Sequence, residues 1–300
     1  MGYLMIELLI EAESDQVGRR LDQVLAAAFP ELSRTEIQQE IRAGKVTVSE
    51  NIIARPAHRV RAGNRILWEI PDKPVLTPGI IPLDILFEDP FMVVINKASG
   101  IVVHPGAGTT ETTLVEGLLV DRKLPVADDP ARPGIVHRLD RETSGVIAVA
   151  KTRNALEALK QQFSDRATRK HYIAVVDGKY DETEGHIDAP IGRNPAMPQR
   201  MSIQASGRPA QTDFTVLAEL GKTSLLWVRP RTGRTHQIRV HLRYTGHSVV
   251  GDEKYGGTDS ERLMLHAWRL YIRHPMHGEP MEFRAPIPED FPGFSYDTLD

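Results

Sequence analysis

The chain has 300 residues, a length typical of two domains, and its 41% hydrophobic and 26% charged residues are typical of globular proteins. Its formal net charge of −3 excludes a uniformly basic protein of the kind that coats nucleic acid, so any such binding needs a local basic face. The absence of cysteine excludes disulfides, thiolate metal sites and cysteine nucleophiles.

The N-terminus is apolar for only a few residues before it becomes acidic, and this pattern predicts no signal peptide. No apolar run approaches the roughly 20 residues that a membrane-spanning helix needs. A chain without cysteine also suits a reducing compartment, so a cytoplasmic location is expected.

Two short helices followed by a small sheet are predicted for residues 16–70. Apolar residues recur at helical spacing in the first helix, over 19–29: Leu21, Val24, Leu25 and Ala28. The second helix is predicted to begin at a capping box formed by Ser33 and Glu36 and to end near Gly44.

Residues 16–70 carry nine Lys or Arg and six Asp or Glu, a net charge of +3. The basic residues concentrate around the two helices: Arg19, Arg20, Arg34, Arg42 and Lys45. On charge alone, a solvated helix surface explains this cluster equally well. The whole pattern resembles the small RNA-binding module first named from ribosomal protein S-four. That resemblance implies that four of these residues contact RNA: Arg19, Arg34, Arg42 and Lys45.

Residues 71–82 contain four prolines in twelve positions, so they can hold neither a helix nor a central strand. The predicted domains are therefore 1–71 and 83–300, with 72–82 as a linker. In the larger domain, strand-like runs and a few helices follow no strict βαβ order, which predicts an α+β fold.

The segment 131–152 places one carboxylate, Asp140, between Arg138 and Arg141, just before a bend at Gly145 and a β-branched strand. Flanking cations favour an ionised carboxylate, which suits a nucleophile or a base. From composition alone, an ordinary surface ion pair is the more frequent explanation.

A second basic segment, 228–243, holds five arginines, two histidines and no acidic residue, and 132–170 carries nine basic against four acidic side chains. Two such segments in a chain of net charge −3 predict a phosphate-binding face. The spacing of His236 and His241, without a nearby carboxylate, does not favour a metal site. Tyr172 follows a basic turn, where an aromatic residue is usually core but can also stack on an unpaired base.

Three motifs in this order, HRLDRETSG, KHYIAVVDG and RTGRTHQIRVH, resemble the large family of ribosomal-RNA pseudouridine synthases, and in particular its synthase D subgroup. With the S-four-like module, the resemblance covers nearly the whole chain. It implies a pseudouridine synthase fold with a mixed, mainly antiparallel central sheet and flanking helices. It also implies an RNA-modifying isomerase that acts on large-subunit (23S) ribosomal RNA. The isomerisation needs no redox step, so no cofactor or metal is expected, and since nothing in the sequence suggests an obligate dimer, a monomer is expected.

The resemblance assigns Asp140 as the catalytic carboxylate, Tyr172 as the aromatic residue that faces the base, and Arg239 as the cation that orients Asp140. The guanidinium of Arg239 allows a bidentate contact with that carboxylate. Phosphate contacts are expected from three further arginines: Arg138, Arg141 and Arg234. For two histidines, His137 and His236, a buried hydrogen-bonding role is expected.

Several alternatives stay open at this point. Asp140 can either attack the sugar or remove a sugar proton, and transfer RNA is a second possible substrate. A non-catalytic RNA-binding protein would carry the same basic segments. A glycoside hydrolase needs two carboxylates about 5–10 Å apart, and the polar segment offers only Asp140 and Glu142. A dinucleotide-binding turn at 104–111 lacks the required strand and helix context.

Overall fold

The computed structural model describes residues 3–11, 14–29, 32, 34–71, 76–106, 109–126 and 129–293. It divides into two compact units, Met1–Val75 and Leu76–Asp300. In chain order, the elements are β1 (Tyr3–Leu9), α1 (Leu21–Ala28), α2 (Arg34–Arg42), β2 (Val46–Val48), β3 (Asn51–Ile52), β4 (Arg65–Pro71), β5 (Asp84–Glu88), β6 (Met92–Lys97), α3 (Leu114–Leu118), β7 (Ser144–Ala150), α4 (Arg153–Ser164), β8 (Arg169–Asp177), β9 (Glu184–Asp188), β10 (Ile191–Arg193), β11 (Met201–Ile203), β12 (Gln211–Leu220), β13 (Thr223–Pro230), α5 (Gln237–Tyr244), β14 (Leu265–Arg273) and β15 (Pro280–Arg284).

The first unit combines α1 and α2 with an antiparallel sheet in the order β1-β4-β2-β3. Its core is apolar, and the largest of its fully buried side chains are those of Leu21, Leu25, Ile37, Ile41, Ile66 and Trp68. Ala28 was predicted on the buried face of α1 but is exposed, because α1 ends there and the next residue, Phe29, packs edge-on against Trp68. Helix α2 ends in a Schellman motif, in which Gly44 has φ 75° as predicted for a C-terminal cap. The predicted capping box lies outside the described residues.

A buried carboxylate joins the two helices of this unit. Asp22 is 0% exposed, and it accepts hydrogen bonds from Arg20 at 2.8 Å, from Arg34 at 3.0 Å and from Gln38 at 2.7 Å. Although burial acts to raise it, these hydrogen bonds lower the pKa of Asp22 from 3.8 to about 2. Its ionised form therefore stabilises the unit above about pH 4, and that contribution is lost as the pH falls toward 2.

Replacing Asp22 with asparagine is expected to destabilise the first unit by about 1–3 kcal/mol, because a buried ionic partner of two arginines is lost. Hydrogen exchange of the α1 and α2 amides in the full chain should become faster by a corresponding factor. Asp15→Asn is the control, since Asp15 is 82% exposed and pairs with Arg19 at 3.7 Å. Equal exchange in the two variants would contradict the role of Asp22.

The second unit is built on a nine-stranded sheet in the order β5-β6-β7-β14-β8-β13-β12-β9, with β15 paired to the far end of β14. Every strand pair in it is antiparallel except β7 with β14. Helix α4 packs against β7, and α5 packs against β11, β12 and β13. The predicted α+β class, with a mixed and mainly antiparallel sheet, is confirmed.

The proline-rich segment is described from residue 76 onward, and that part lies on α3. Gly79 donates its backbone N–H to the carbonyl of Glu116, and Ile81 packs against Gly117. None of the described helices is long and apolar enough to cross a membrane.

Candidate active site

Three residues that are far apart in the sequence meet in one cleft of about 90 Å³ in the second unit. Asp140 lies in the loop before β7, Tyr172 lies on β8, and Arg239 lies on α5. The cleft is completed by polar and apolar side chains: Arg138, Leu139, Thr143, Lys170, Thr232, Arg234, His236, Gln237, Ile238 and Leu265.

The loop that carries Asp140 is held by a buried lysine. Lys97, at the end of β6, is 1% exposed and donates to the carbonyls of Ala98 at 2.8 Å, Ile101 at 2.9 Å and Arg141 at 3.0 Å. Burial lowers the pKa of Lys97 to about 7, and the protonated form has three N–H donors for these three carbonyl acceptors. The ammonium of Lys97 therefore ties the end of β6 to the residue that follows Asp140.

A close backbone approach fixes the other end of this loop. Gly145 has φ 115° and pairs in parallel with Ala267 of β14. A Cβ atom at position 145 would lie 2.2 Å from the carbonyl oxygen of Ala267, so only glycine fits there. Ser99 adds a side-chain hydrogen bond of 2.7 Å to the carbonyl of Glu142.

The guanidinium of Arg239 is shared among three carboxylates. It makes a bidentate pair with Asp252, from Nε at 2.7 Å and from Nη2 at 2.8 Å, and both side chains are buried. Its Nη1 is 3.4 Å from Asp140 and 3.5 Å from Glu142. The expected contact between Arg239 and Asp140 is present but is not bidentate, because Asp252 accepts from Nε and Nη2 and leaves Nη1 for Asp140.

The environment of Arg239 keeps it charged. Although burial acts to lower it, hydrogen bonding to Asp252 and the charges of all three carboxylates raise the pKa of Arg239 above its ordinary value. A permanent cation thus lies beside Asp140.

Two hydroxyl groups in the cleft have no partner within the described parts of the chain. Tyr172 is 8% exposed, and burial together with the charge of Asp140 raises the pKa of its phenol, which keeps it neutral. The hydroxyl of Thr143 is buried and has no hydrogen-bond partner there either. Buried polar groups are nearly always paired, so both hydroxyls are available to a bound ligand.

The nearby histidines have structural partners. His137 accepts the Ala148 backbone N–H at 3.0 Å through Nε2 and stacks on Phe163, and burial lowers its pKa to about 3. His236 lies directly before α5, and its Nδ1 atom is 2.8 Å from the hydroxyl of Tyr255. Both fit the hydrogen-bonding role expected from the sequence. Among the described residues, no group of three possible ligands could hold a metal ion.

The predicted phosphate-binding arginines divide into two sets. Arg138 and Arg234 line the cleft, and Arg138 is exposed without a partner among the described residues. Arg141 does not line it, because its guanidinium pairs with Glu111 at 2.8 Å and donates to the Gly100 carbonyl.

In the first unit, all four predicted RNA-contacting residues have internal partners. Arg34 is bound to the buried Asp22, so its guanidinium helps to hold the two helices together. The others pair at the surface: Arg19 with Asp15 at 3.7 Å, Arg42 with Gln38 at 3.3 Å, and Lys45 with Glu40 at 3.0 Å.

Sequence reasoning missed Lys97, Asp252 and Lys170. Lys97 and Asp252 acquire their roles from contacts with distant parts of the chain. Lys170 is one of several cations in the basic turn before Tyr172, and the sequence does not indicate which of them lines the cleft. Asp252 is followed by Glu253 and Lys254, so nothing in the local sequence distinguishes it as the partner of Arg239.

Comparison with known proteins identifies the two units. Residues 91–244 match the family model described as RNA pseudouridylate synthase, and residues 19–66 match the S4 domain. The chain is 38% identical to ribosomal large subunit pseudouridine synthase D of Vibrio vulnificus, over 95% of this chain and 92% of the relative. It is 39% identical to the protein of the same name from Zymomonas mobilis, over 92% of each chain.

Among solved structures, human RNA pseudouridylate synthase domain containing 1 is similar with a TM-score of 0.56 and 29% identity, over 69% of this chain and 84% of that one. The fold and the two matched regions define an RNA-modifying enzyme with an RNA-binding domain at its N-terminus. The chain belongs to the RNA pseudouridylate synthase family.

Proposed function

We propose that this chain isomerises particular uridines to pseudouridine in large-subunit ribosomal RNA, with Asp140 as the essential carboxylate. Two relatives that share 38% and 39% of its residues are named as large-subunit enzymes, which supports this choice of RNA. The proposal includes a cytoplasmic monomer that uses no cofactor or metal ion. It also includes RNA contacts by residues 1–71, joined through residues 72–82 to a catalytic domain at 83–300.

The observation that carries the proposal is the convergence of Asp140, Tyr172 and Arg239 on one cleft. A protein that only binds RNA gains nothing from a carboxylate in a basic cleft, because the carboxylate repels phosphates. A glycoside hydrolase needs two carboxylates that flank the bond. Glu142 shares Nη1 of Arg239 with Asp140 but does not line the cleft.

The reaction moves one glycosidic bond within the nucleotide. The bond from C1′ to N1 of uracil breaks, the bond from C1′ to C5 forms, C5 loses a proton and N1 gains one, so atoms and electrons balance. The uridine must first leave its stack, at a cost of a few kcal/mol (about 2–4). Asp140 then acts on the ribose, by attack at C1′ or by removal of the C2′ proton, and both routes need the same carboxylate.

The surrounding residues position that carboxylate. Arg239 directs Nη1 toward Asp140 at 3.4 Å, and Asp252 holds Arg239 in this orientation through two hydrogen bonds. The loop is anchored from behind by Lys97. A carboxylate held in this way loses little orientational freedom when the sugar arrives.

Tyr172 is the residue proposed to stack on the uracil. Burial and the charge of Asp140 raise the pKa of the Tyr172 phenol, so it is neutral. A neutral phenol can take the C5 proton only while it passes its own proton to another group. Tyr172→Phe keeps the ring and loses the hydroxyl, so turnover should fall about a hundredfold while RNA affinity changes less than about threefold.

Tyr172→Leu removes the ring as well, and RNA affinity should then fall about tenfold or more. Single-turnover release of tritium from RNA labelled at C5 of uridine measures the first effect, and filter binding measures the second. Equal turnover in wild type and Tyr172→Phe would restrict Tyr172 to stacking.

The function is tested by incubating the protein with transcripts of large-subunit ribosomal RNA and of transfer RNA, followed by chemical mapping of pseudouridine. Product at defined uridines of the ribosomal transcript is expected. If pseudouridine forms only in transfer RNA, the proposed substrate is wrong and transfer RNA takes its place. If the protein binds RNA but forms no pseudouridine in any transcript, it is an RNA-binding protein without this activity.

A further inference from the structure

A basic groove continues from the cleft across the second unit. It has a volume of about 630 Å³ and lies between the end of α4, the start of β8 and the loop between β13 and α5. The groove and the cleft share six lining residues: Arg138, Lys170, Pro230, Thr232, Gly233 and Arg234. The two are therefore one continuous depression.

Seven Lys or Arg side chains line the groove, and no Asp or Glu among the described residues does. Four of the arginines have no ion pair or hydrogen bond from the side chain to any described residue: Arg138, Arg166, Arg169 and Arg229. Arg231 pairs with Asp213 at 2.6 Å, and Arg234 donates to the Pro209 carbonyl at 3.1 Å. A cluster of uncompensated cations is unfavourable unless an anion binds there.

Lys170 lies where the groove meets the cleft. It is two residues before Tyr172 on β8, so the two side chains share one face of the strand and both line the cleft. Its Nζ atom lies 3.5 Å from the place that a Cβ atom would take on Gly233, against the loop before α5. Lys170 has no hydrogen bond or ion pair with any described residue. Burial lowers the pKa of its amino group to about 8.

We infer that the groove binds the RNA strand attached to the target uridine, and that Lys170 binds the phosphate nearest to the flipped nucleotide. A base that enters the cleft leaves its phosphates at the mouth, and the groove is the basic surface that begins there. The continuous strand is a polyanion, which matches a surface of arginines without carboxylates. This inference rests on the proposed function of the cleft.

The test uses the salt dependence of RNA binding in the full chain. Each lost phosphate contact should reduce the slope of log K against log salt by about 0.7–0.9. The first variant is Arg166→Asn with Arg169→Gln, two exposed positions; asparagine is chosen because residue 166 has φ 57°. The second variant is Lys170→Met, which removes the charge and keeps a similar length.

The control is Arg153→Gln, at the opposite end of α4 and about 16 Å along the helix axis from residue 164. This change removes one positive charge from α4, the helix whose end borders the groove, but Arg153 does not line the groove. The probe is a large-subunit ribosomal RNA transcript, and pseudouridine formation is measured on the same samples.

The double variant should bind about tenfold more weakly, with the slope reduced by about 1.4–1.8, and at subsaturating RNA its product formation should fall in step with the bound fraction. Lys170→Met should lose about 0.7–0.9 of slope. If the wild type forms product and both groove variants keep the wild-type slope, the groove does not bind the RNA strand. An equally large reduction of the slope in Arg153→Gln would overturn the proposal as well. Wild type without product on any RNA would instead overturn the function of the cleft, while the slopes would still report on the groove.

Discussion

Asp140→Asn is expected to reduce pseudouridine formation by at least about a thousandfold while RNA binding stays within about threefold of wild type. The amide keeps the shape of the side chain but can neither attack C1′ nor accept the C2′ proton. Lys97 and Gly145 hold the loop through contacts that do not involve the Asp140 side chain, so its geometry should survive the change. The measurement is single-turnover tritium release from the ribosomal transcript.

Glu142→Gln is the matched control for that experiment. Glu142 lies in the same loop and is as near to Nη1 of Arg239 as Asp140, at 3.5 Å against 3.4 Å, but it is 38% exposed and does not line the cleft. Its loss should therefore lower turnover less than about tenfold. An inactive Glu142→Gln beside an active Asp140→Asn would transfer the essential role to Glu142.

The second large effect is expected at Arg239. Arg239→Lys keeps one positive charge but cannot span the two oxygens of Asp252 and also reach Asp140, because an ammonium group has no planar fork. Turnover should fall about 10²–10³-fold, whereas RNA affinity should change only a few fold, since Arg239 is 2% exposed and does not line the basic groove.

The Asp252→Asn variant separates the effect of the orientation of Arg239 on turnover from the effect of its positive charge. It leaves Arg239 in place but weakens the pair that orients it, so turnover should fall while the cation beside Asp140 remains. The unfolding temperature of each variant should be recorded, because breaking a buried ion pair costs about 3–5 kcal/mol. A parallel loss of turnover and RNA affinity in Arg239→Lys would reassign Arg239 to phosphate binding.

Several elements were predictable because their patterns are local. The β-branched run after Gly145 is found as β7, and the two helices predicted between residues 19 and 44 are found as α1 and α2. Their periodicity is decided by neighbours within a few residues. The three motifs that contain Asp140, Tyr172 and Arg239 indicated the family before any distance was known.

The partners within the site were not predictable, because they depend on contacts over long sequence distances. Asp252 is 13 residues from Arg239 and displaces Asp140 from the bidentate position. Arg141 is adjacent to Asp140, yet it pairs with Glu111, 30 residues away. Lys170 has no hydrogen-bond or ion-pair partner among the residues that the structure describes, and only the folded arrangement of charges reveals this.

The anchoring of the Asp140 loop has a consequence for how this scaffold can diversify. The hydrogen bonds that Lys97 and Ser99 donate to this loop end on the backbone carbonyls of Arg141 and Glu142, so they do not depend on which side chains these two residues carry. Exchanges at positions 141 and 142 can thus change the outer surface without moving the carboxylate beside them. One fold can in this way acquire a new target RNA through surface substitutions while its chemistry is inherited unchanged.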